Sequence, residues 1–266
     1  MGEAIVITSG KGGVGKTTTS ANLGTALALQ GKKVCLIDTD IGLRNLDVIL
    51  GLENRIIYDL VDVVEERCKV HQALVKDKRF EDRLFLLPAA QTTDKSAVNP
   101  EQMKKLVLEL KQDYDYVLID CPAGIEQGFK NAISGADRAI VVTTPEISAV
   151  RDADRIIGLL EAEEGLEPPK LIINRIRSGM MESGETLDVN EITTHLSIDL
   201  LGIVMDDQNV ISASNKGEPV VMDPTNPAAI GYRNIARRIL GESVPLMTME
   251  KSKSGFFGKI KNMFGK

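Results

Sequence analysis

GKGGVGKTT, Gly10–Thr18, is the stretch on which the reading of the whole chain turns. It follows an apolar, β-branched run, Ala4–Thr8, and opens a segment of helical period, Lys16–Gln30, so it satisfies G-x-x-x-x-G-K-[ST] with a strand before it and a helix after it. Gly10, Gly12, Gly13 and Gly15 are read as residues that let the backbone adopt conformations closed to other side chains, so that successive N–H groups curl around a β-phosphate at a helix N-terminus. Val14 and Thr18 belong to the same loop. Lys16 is expected to reach the β- and γ-phosphates, and the Thr17 hydroxyl to ligate Mg2+.

Working outward, further apolar runs recur at Val34–Asp38, Leu84–Leu87, Tyr116–Asp120, Ala139–Thr143, Leu171–Asn174 and Gly202–Met205. Longer segments of helical period separate most of them, notably Pro100–Gln112, Ala149–Glu163 and Ala228–Leu240. Nearly continuous apolar strands alternating with helices predict an α/β fold, a doubly wound and mainly parallel sheet covered on both faces. In such sheets ligands sit beyond the carboxyl ends of the strands. Asp38 and Asp40 in LIDTD and Asp120 in VLIDCPAG stand at two such ends. Asp120 is expected in the Mg2+ shell with Gly124 sensing the γ-phosphate, as in a Walker B and switch II. Asp40 is placed to orient an attacking water, with Asp38 nearer the metal; acids at strand ends serve equally well as helix caps.

Composition narrows the classes. At 266 residues with 43% hydrophobic content, the chain suits one large domain, residues 1–241, followed by a linker, 242–254. No apolar run reaches the roughly 18 residues that span a bilayer, and no export signal precedes the first strand, so a cytoplasmic protein is expected. Cys35, Cys68 and Cys121 form no C-x-x-C pair and read as buried reduced thiols; His71 and His195 stand apart from them and from each other. The net charge is −6, but from Glu250 onward five lysines face one acid, a balance of +4 that leaves −10 on the body. An acidic body argues against nucleic acid as a partner.

The final segment, residues 255–266, has its own logic. On a helical wheel Phe256, Phe257, Ile260, Met263 and Phe264 fall within an arc of about 120°, with Lys259, Lys261 and Lys266 outside it. Such a stripe either packs on its own domain or lies in a membrane interface. The terminal position, the linker before it and the reversed charge favour an amphipathic helix on anionic lipid.

Lys11 is a second lysine that a generic phosphate loop does not need. Beside Lys16 it would be repelled unless a large negative charge offset it, and its place at the start of the loop aims it outward, toward a partner subunit's nucleotide. With this K-G-G-x-G-K-[ST] pattern the sequence resembles the deviant Walker A ATPases. SGKGGVGKTT, DTDIGLRNLD, LIDCPAGIE, AVRDADRIIGLL and INR stand in the order of that family's septum-site-determining branch, over essentially residues 2–266. The resemblance implies an ATPase that uses ATP and Mg2+ and forms a homodimer with ATP sandwiched between subunits, Lys11 crossing to the other subunit's phosphates. It implies base recognition by Asn174 and Arg175, with backbone near Asp206 and Asp207. It places Ser148 and Asp152 on a surface that meets regulators, although a helix N-cap and a solvated acid fit those two residues as well. It also implies a peripheral membrane protein that recruits the division inhibitor MinC and answers to a topological regulator of unknown identity. The alternatives are a ParA-like DNA-partitioning ATPase and, with less support, an iron–sulfur electron-transfer or cluster-carrier ATPase.

Overall fold

The computed structural model describes residues 1–246. The expected lipid-facing stripe of residues 255–266 and most of the linker lie outside the described residues.

The first half of the chain runs β1 (Glu3–Thr8), α1 (Lys16–Leu29), β2 (Val34–Asp38), the short helices α2 (Leu46–Leu50), α3 (Leu60–Val64) and α4 (Val70–Ala73), then β3 (Val75–Lys76) and β4 (Leu84–Leu87). It continues through α5 (Pro100–Asp113), β5 (Tyr116–Asp120), α6 (Gln127–Ile133), β6 (Arg138–Thr143), α7 (Ile147–Glu161) and β7 (Lys170–Ile176). The last described elements are α8 (Ser178–Glu182), α9 (Val189–Leu196), β8 (Asp199–Met205), α10 (Gln208–Asn215) and α11 (Pro227–Ile239). All seven sequence-predicted strands are present. The eighth, β3, has two residues and pairs antiparallel to β4, too short to leave an alternation pattern.

The sheet order is β3-β4-β2-β5-β1-β6-β7-β8, with every pair except β3 and β4 parallel. The chain winds from β1 toward one edge, returns through β5, and proceeds by β6, β7 and β8 to the other edge. Its direction therefore reverses around β1 and β5, and the crevice at their carboxyl ends is where such sheets bind ligands.

Strand period divides the core in two. Ala4 and Val6 of β1 face α5, α6, α7 and α9, burying Leu106, Phe129, Ile156 and Ile192. Ile5 and Ile7 face the opposite layer, with Leu23 and Leu27 of α1, Leu46 and Leu50 of α2, and Tyr232 and Ile235 of α11. Strands buried on both faces are apolar throughout, which is why they were legible as continuous runs. Cys35 and Cys121 are buried as expected, whereas Cys68 is only half-buried; all three are free thiols.

Helix α11 approaches β8 backbone to backbone. A Cβ at Gly231 would stand 2.7 Å from the Ile203 carbonyl oxygen and 3.2 Å from Val204 Cα. Backbone cannot yield as a side chain can, so Gly231→Val should cost about 1–3 kcal/mol and lower the thermal midpoint by several degrees in calorimetry. An unchanged midpoint would contradict this packing.

Candidate nucleotide-binding site

The phosphate loop joins β1 to α1 at the reversal point of the sheet. Its glycines divide by cause. Gly13 and Gly15 have φ of +81° and +96°, conformations that L side chains rarely adopt. Gly10 does not; a Cβ there would fall 2.0 Å from the Asp152 carbonyl oxygen on α7, so glycine is required by close approach. Gly12 shows neither constraint, its nearest neighbour being Ala123 Cβ at 3.9 Å. The sequence-based expectation that all four serve unusual backbone angles is thus corrected for Gly10 and Gly12. Gly15 is doubly constrained, because Asn174 Nδ2 lies 2.4 Å from its virtual Cβ while donating to the Val14 carbonyl at 2.9 Å.

Behind the loop, β2 and β5 pair in register so that Asp38 stands beside Asp120. Both side chains are 1% exposed, and Lys16 is buried nearby. Ser20, one turn along α1 from Lys16, donates to Asp120 Oδ1 at 2.7 Å and to the Lys16 carbonyl at 3.1 Å. Burial pushes Asp120 up to about 6, while hydrogen bonds from Ser20 and Thr17 and the Lys16 ammonium act in the opposite direction. Burial pushes Asp38 higher, to about 7, with the Asp120 charge adding to it. Asp38 accepts backbone N–H bonds from Asp40 at 2.9 Å, Asn45 at 3.3 Å and Leu46 at 3.2 Å, and so holds the start of α2 as well as facing the site.

The donor set suits Mg2+. Thr17, Asp38 and Asp120 offer hard oxygen ligands, and a doubly charged cation supplies the positive charge that two adjacent buried carboxylates lack. Lys16 and the N-terminus of α1 complement a phosphate in the same place. Thr39 secures the frame by donating its hydroxyl to the Asp120 carbonyl at 2.6 Å. Asp40 lies just beyond β2 and, with Ala123 on the loop after β5, lines a small cavity of about 30 Å3 between the two loops. In that second loop Gly124 has φ of +98°.

Beside the phosphate loop opens a cleft of about 350 Å3. Gly15, Thr18, Asn174 and Arg175 form its inner end; Asp206, Asp207 and α10 form its outer wall, and Ile49 of α2 closes one side. Arg175 has φ of +56° at an irregularity in the β7–β8 pairing. Asn174 and Arg175 line the cleft together at that local distortion. Asp207 accepts from the Asn209 N–H at 2.7 Å and so caps α10. Sequence reading located Asn174, Arg175, Asp206 and Asp207 but missed Ser20, Ile49 and α10. An eight-residue helix is too brief for periodicity, although the Asp207 cap was a usable signal.

Lys11 is the outlier of the loop. It is exposed, and its Nζ donates to Ser148 Oγ at 2.7 Å instead of turning toward Lys16. Ser148 is not a helix N-cap: α7 begins at Ile147 after Glu146, and the Ser148 hydroxyl takes the lysine instead. The fold therefore brings together Lys11, Ser148 and the Asp152 backbone at one edge of the site.

Residues 5–220 match the family model of the CobQ/CobB/MinD/ParA nucleotide binding domain. The septum site-determining protein MinD of Bacillus subtilis is 76% identical over 265 residues, covering 100% of this chain and 99% of that protein. Among solved structures, the MinC:MinD cell division protein complex of Aquifex aeolicus superimposes with a TM-score of 0.86 at 51% identity, over 92% of this chain and 99% of that one. The septum site-determining protein MinD of Pyrococcus horikoshii, complexed with Mg-ADP, gives a TM-score of 0.80 at 30% identity, over 90% of this chain and 96% of that one. Sequence likeness along the full chain and a fold that superimposes over nine-tenths of its length lead to one conclusion: the chain belongs to the MinD branch of the CobQ/CobB/MinD/ParA nucleotide-binding family.

Proposed function

We propose that this chain is an ATP-dependent dimerising ATPase that governs septum placement by carrying MinC to the membrane. The observation that carries the reading is the division of labour between two lysines of one loop. Lys16 is buried next to Asp120, at the centre of a phosphate and cation site, while Lys11 is exposed against α7. A cation left on the rim of an anion site is available to a second subunit's phosphates, where it would act as an arginine finger does in trans. Relatives named for septum site determination, a solved complex with MinC and another with Mg-ADP support the partner and the nucleotide.

In this mechanism Thr17 and Asp120 would hold Mg2+, with Asp38 beside them, and Lys16 and the loop N–H groups bind the phosphates. When bound, Mg2+ would supply positive charge for the phosphoryl oxygens. Asn174 and Arg175 take the base. Asp40, on the facing loop, orients the attacking water. Ser148 and Asp152 belong to the surface that meets regulators, next to the lysine that changes partners on dimerisation. Among the described residues no helix is long and apolar enough to cross a membrane. Lipid attachment is assigned to residues 255–266. Burying each apolar side chain of the stripe contributes about 1.5–3 kcal/mol, much of it spent on ordering a short glycine-containing helix. One copy binds weakly, and two copies on an ATP dimer gain roughly 10²–10⁴ in apparent affinity. The body's balance of −10 disfavours the ParA-like reading, since DNA requires a basic face.

Asp40→Ala should bind ATP and remain dimeric while turnover falls by about 10²-fold or more; normal phosphate release would remove Asp40 from the reaction. Lys11→Ala should stay monomeric with ATP in light scattering, and a mutant that dimerises would refute the crossing lysine. Deleting residues 255–266 should leave nucleotide affinity intact and abolish sedimentation with anionic liposomes. Equal sedimentation of the full chain with ADP and ATP would break the coupling.

A further inference from the structure

Two short helices contribute to the wall of the base cleft. Ile49 comes from the five-residue α2, and Gln208, Val210, Ile211 and Ser214 come from the eight-residue α10. Neither length is stable alone in water. They meet at their C-terminal ends through a pair of glycines: a Cβ at Gly217 would stand 2.5 Å from Gly51 Cα, and a Cβ at Gly51 2.9 Å from the Gly217 carbonyl oxygen.

One side chain joins these ends. Arg79, in the 3-10 turn between β3 and β4, donates from Nη1 to the Gly217 carbonyl at 2.9 Å and from Nη2 to the Leu50 carbonyl at 2.5 Å. Its guanidinium is held by Asp77, with Nη2 to Oδ2 at 2.7 Å and Nε to Oδ1 at 2.9 Å. Asp77 is 2% exposed, and the Phe80 ring lies 5.7 Å from the guanidinium carbon. A planar fork bonded to a buried carboxylate is fixed in direction, so the carbonyls it binds are fixed too. Both carbonyls lie at helix C-terminal ends, where a cation is also favoured by the aligned peptide dipoles.

We propose that Arg79, oriented by Asp77, is a positioning residue for base recognition: it clamps α2 to α10 and so sets the width of the cleft that receives the nucleotide base. It touches neither the phosphate loop nor the carboxylates at the ends of β2 and β5. The other end of α2 is held by Asp38 through the Asn45 and Leu46 N–H groups. One five-residue helix is thereby pinned at the cation site by its start and at the base wall by its end. This inference rests on the nucleotide-binding reading of the site, and it assigns to Arg79 a share in base affinity that the phosphate loop does not supply.

Isothermal titration with Mg2+ present, using ATP and inorganic tripolyphosphate as two probes, separates base from phosphate binding. Arg79→Ala should weaken ATP roughly tenfold and leave tripolyphosphate unchanged, because only the cleft wall loosens. Arg79→Lys, which offers one point charge where the fork binds several acceptors, should recover part of the loss. Gly217→Ala disturbs the same junction with the guanidinium in place and should show the same split; if Arg79→Ala does not fold, this variant carries the decision. Equal weakening of both probes, or an unchanged ratio in folded protein, overturns the assignment. A wild-type protein that binds ATP no better than tripolyphosphate overturns the base cleft itself, a different result from a variant that fails to alter the ratio.

Discussion

Two carboxylates buried side by side constrain everything around them. Asp38 and Asp120 occupy paired positions at the ends of adjacent parallel strands, and both are almost completely excluded from water. Like charges in such a place raise one another's affinity for protons and oppose folding unless something compensates. The compensation here is spread over the site: Lys16, the Ser20 and Thr17 hydroxyls and the backbone N–H groups of Asp40, Asn45 and Leu46 all act to favour the ionised forms. What remains uncompensated suits a divalent cation.

That arrangement also explains the shape of the neighbouring elements. The loop after β2 turns back so that its N–H groups reach Asp38, and α2 begins where they do. The loop after β5 faces it across a small cavity lined by Asp40 and Ala123. Lys11 sits at the rim of the same region, bonded to α7 and exposed to solvent. Its partner on α7, Ser148, lies one turn before Asp152, whose carbonyl packs against Gly10 of the phosphate loop.

The signals legible in the sequence were those with short period or strict spacing. The phosphate loop, the acids at strand ends and four long helices each repeat a pattern within a few residues, so local composition identifies them. Short elements escaped. Helices α2 and α10 carry no usable periodicity, and β3 has two residues, yet α10 and Ile49 of α2 line the cleft beside the phosphate loop. The glycines show the same limit. Spacing marks all four in the loop, but Gly13 and Gly15 are there for backbone angle and Gly10 for room beside the Asp152 carbonyl. No local pattern distinguishes these causes.

The amino-acid sequence by itself determined the fold class, the phosphate-binding chemistry and the presence of a terminal cationic, aromatic segment, because each depends on residue type at fixed separation along the chain. Tertiary structure decided what meets across it: that Ser20 supports Asp120, that Lys11 lies on Ser148, and that Arg79 ties Leu50 to Gly217 over 29 and 138 residues respectively. Those contacts join segments whose proximity follows from strand order and sheet register. Both are properties of how the entire hydrophobic pattern is buried at once, and no single stretch of sequence contains them.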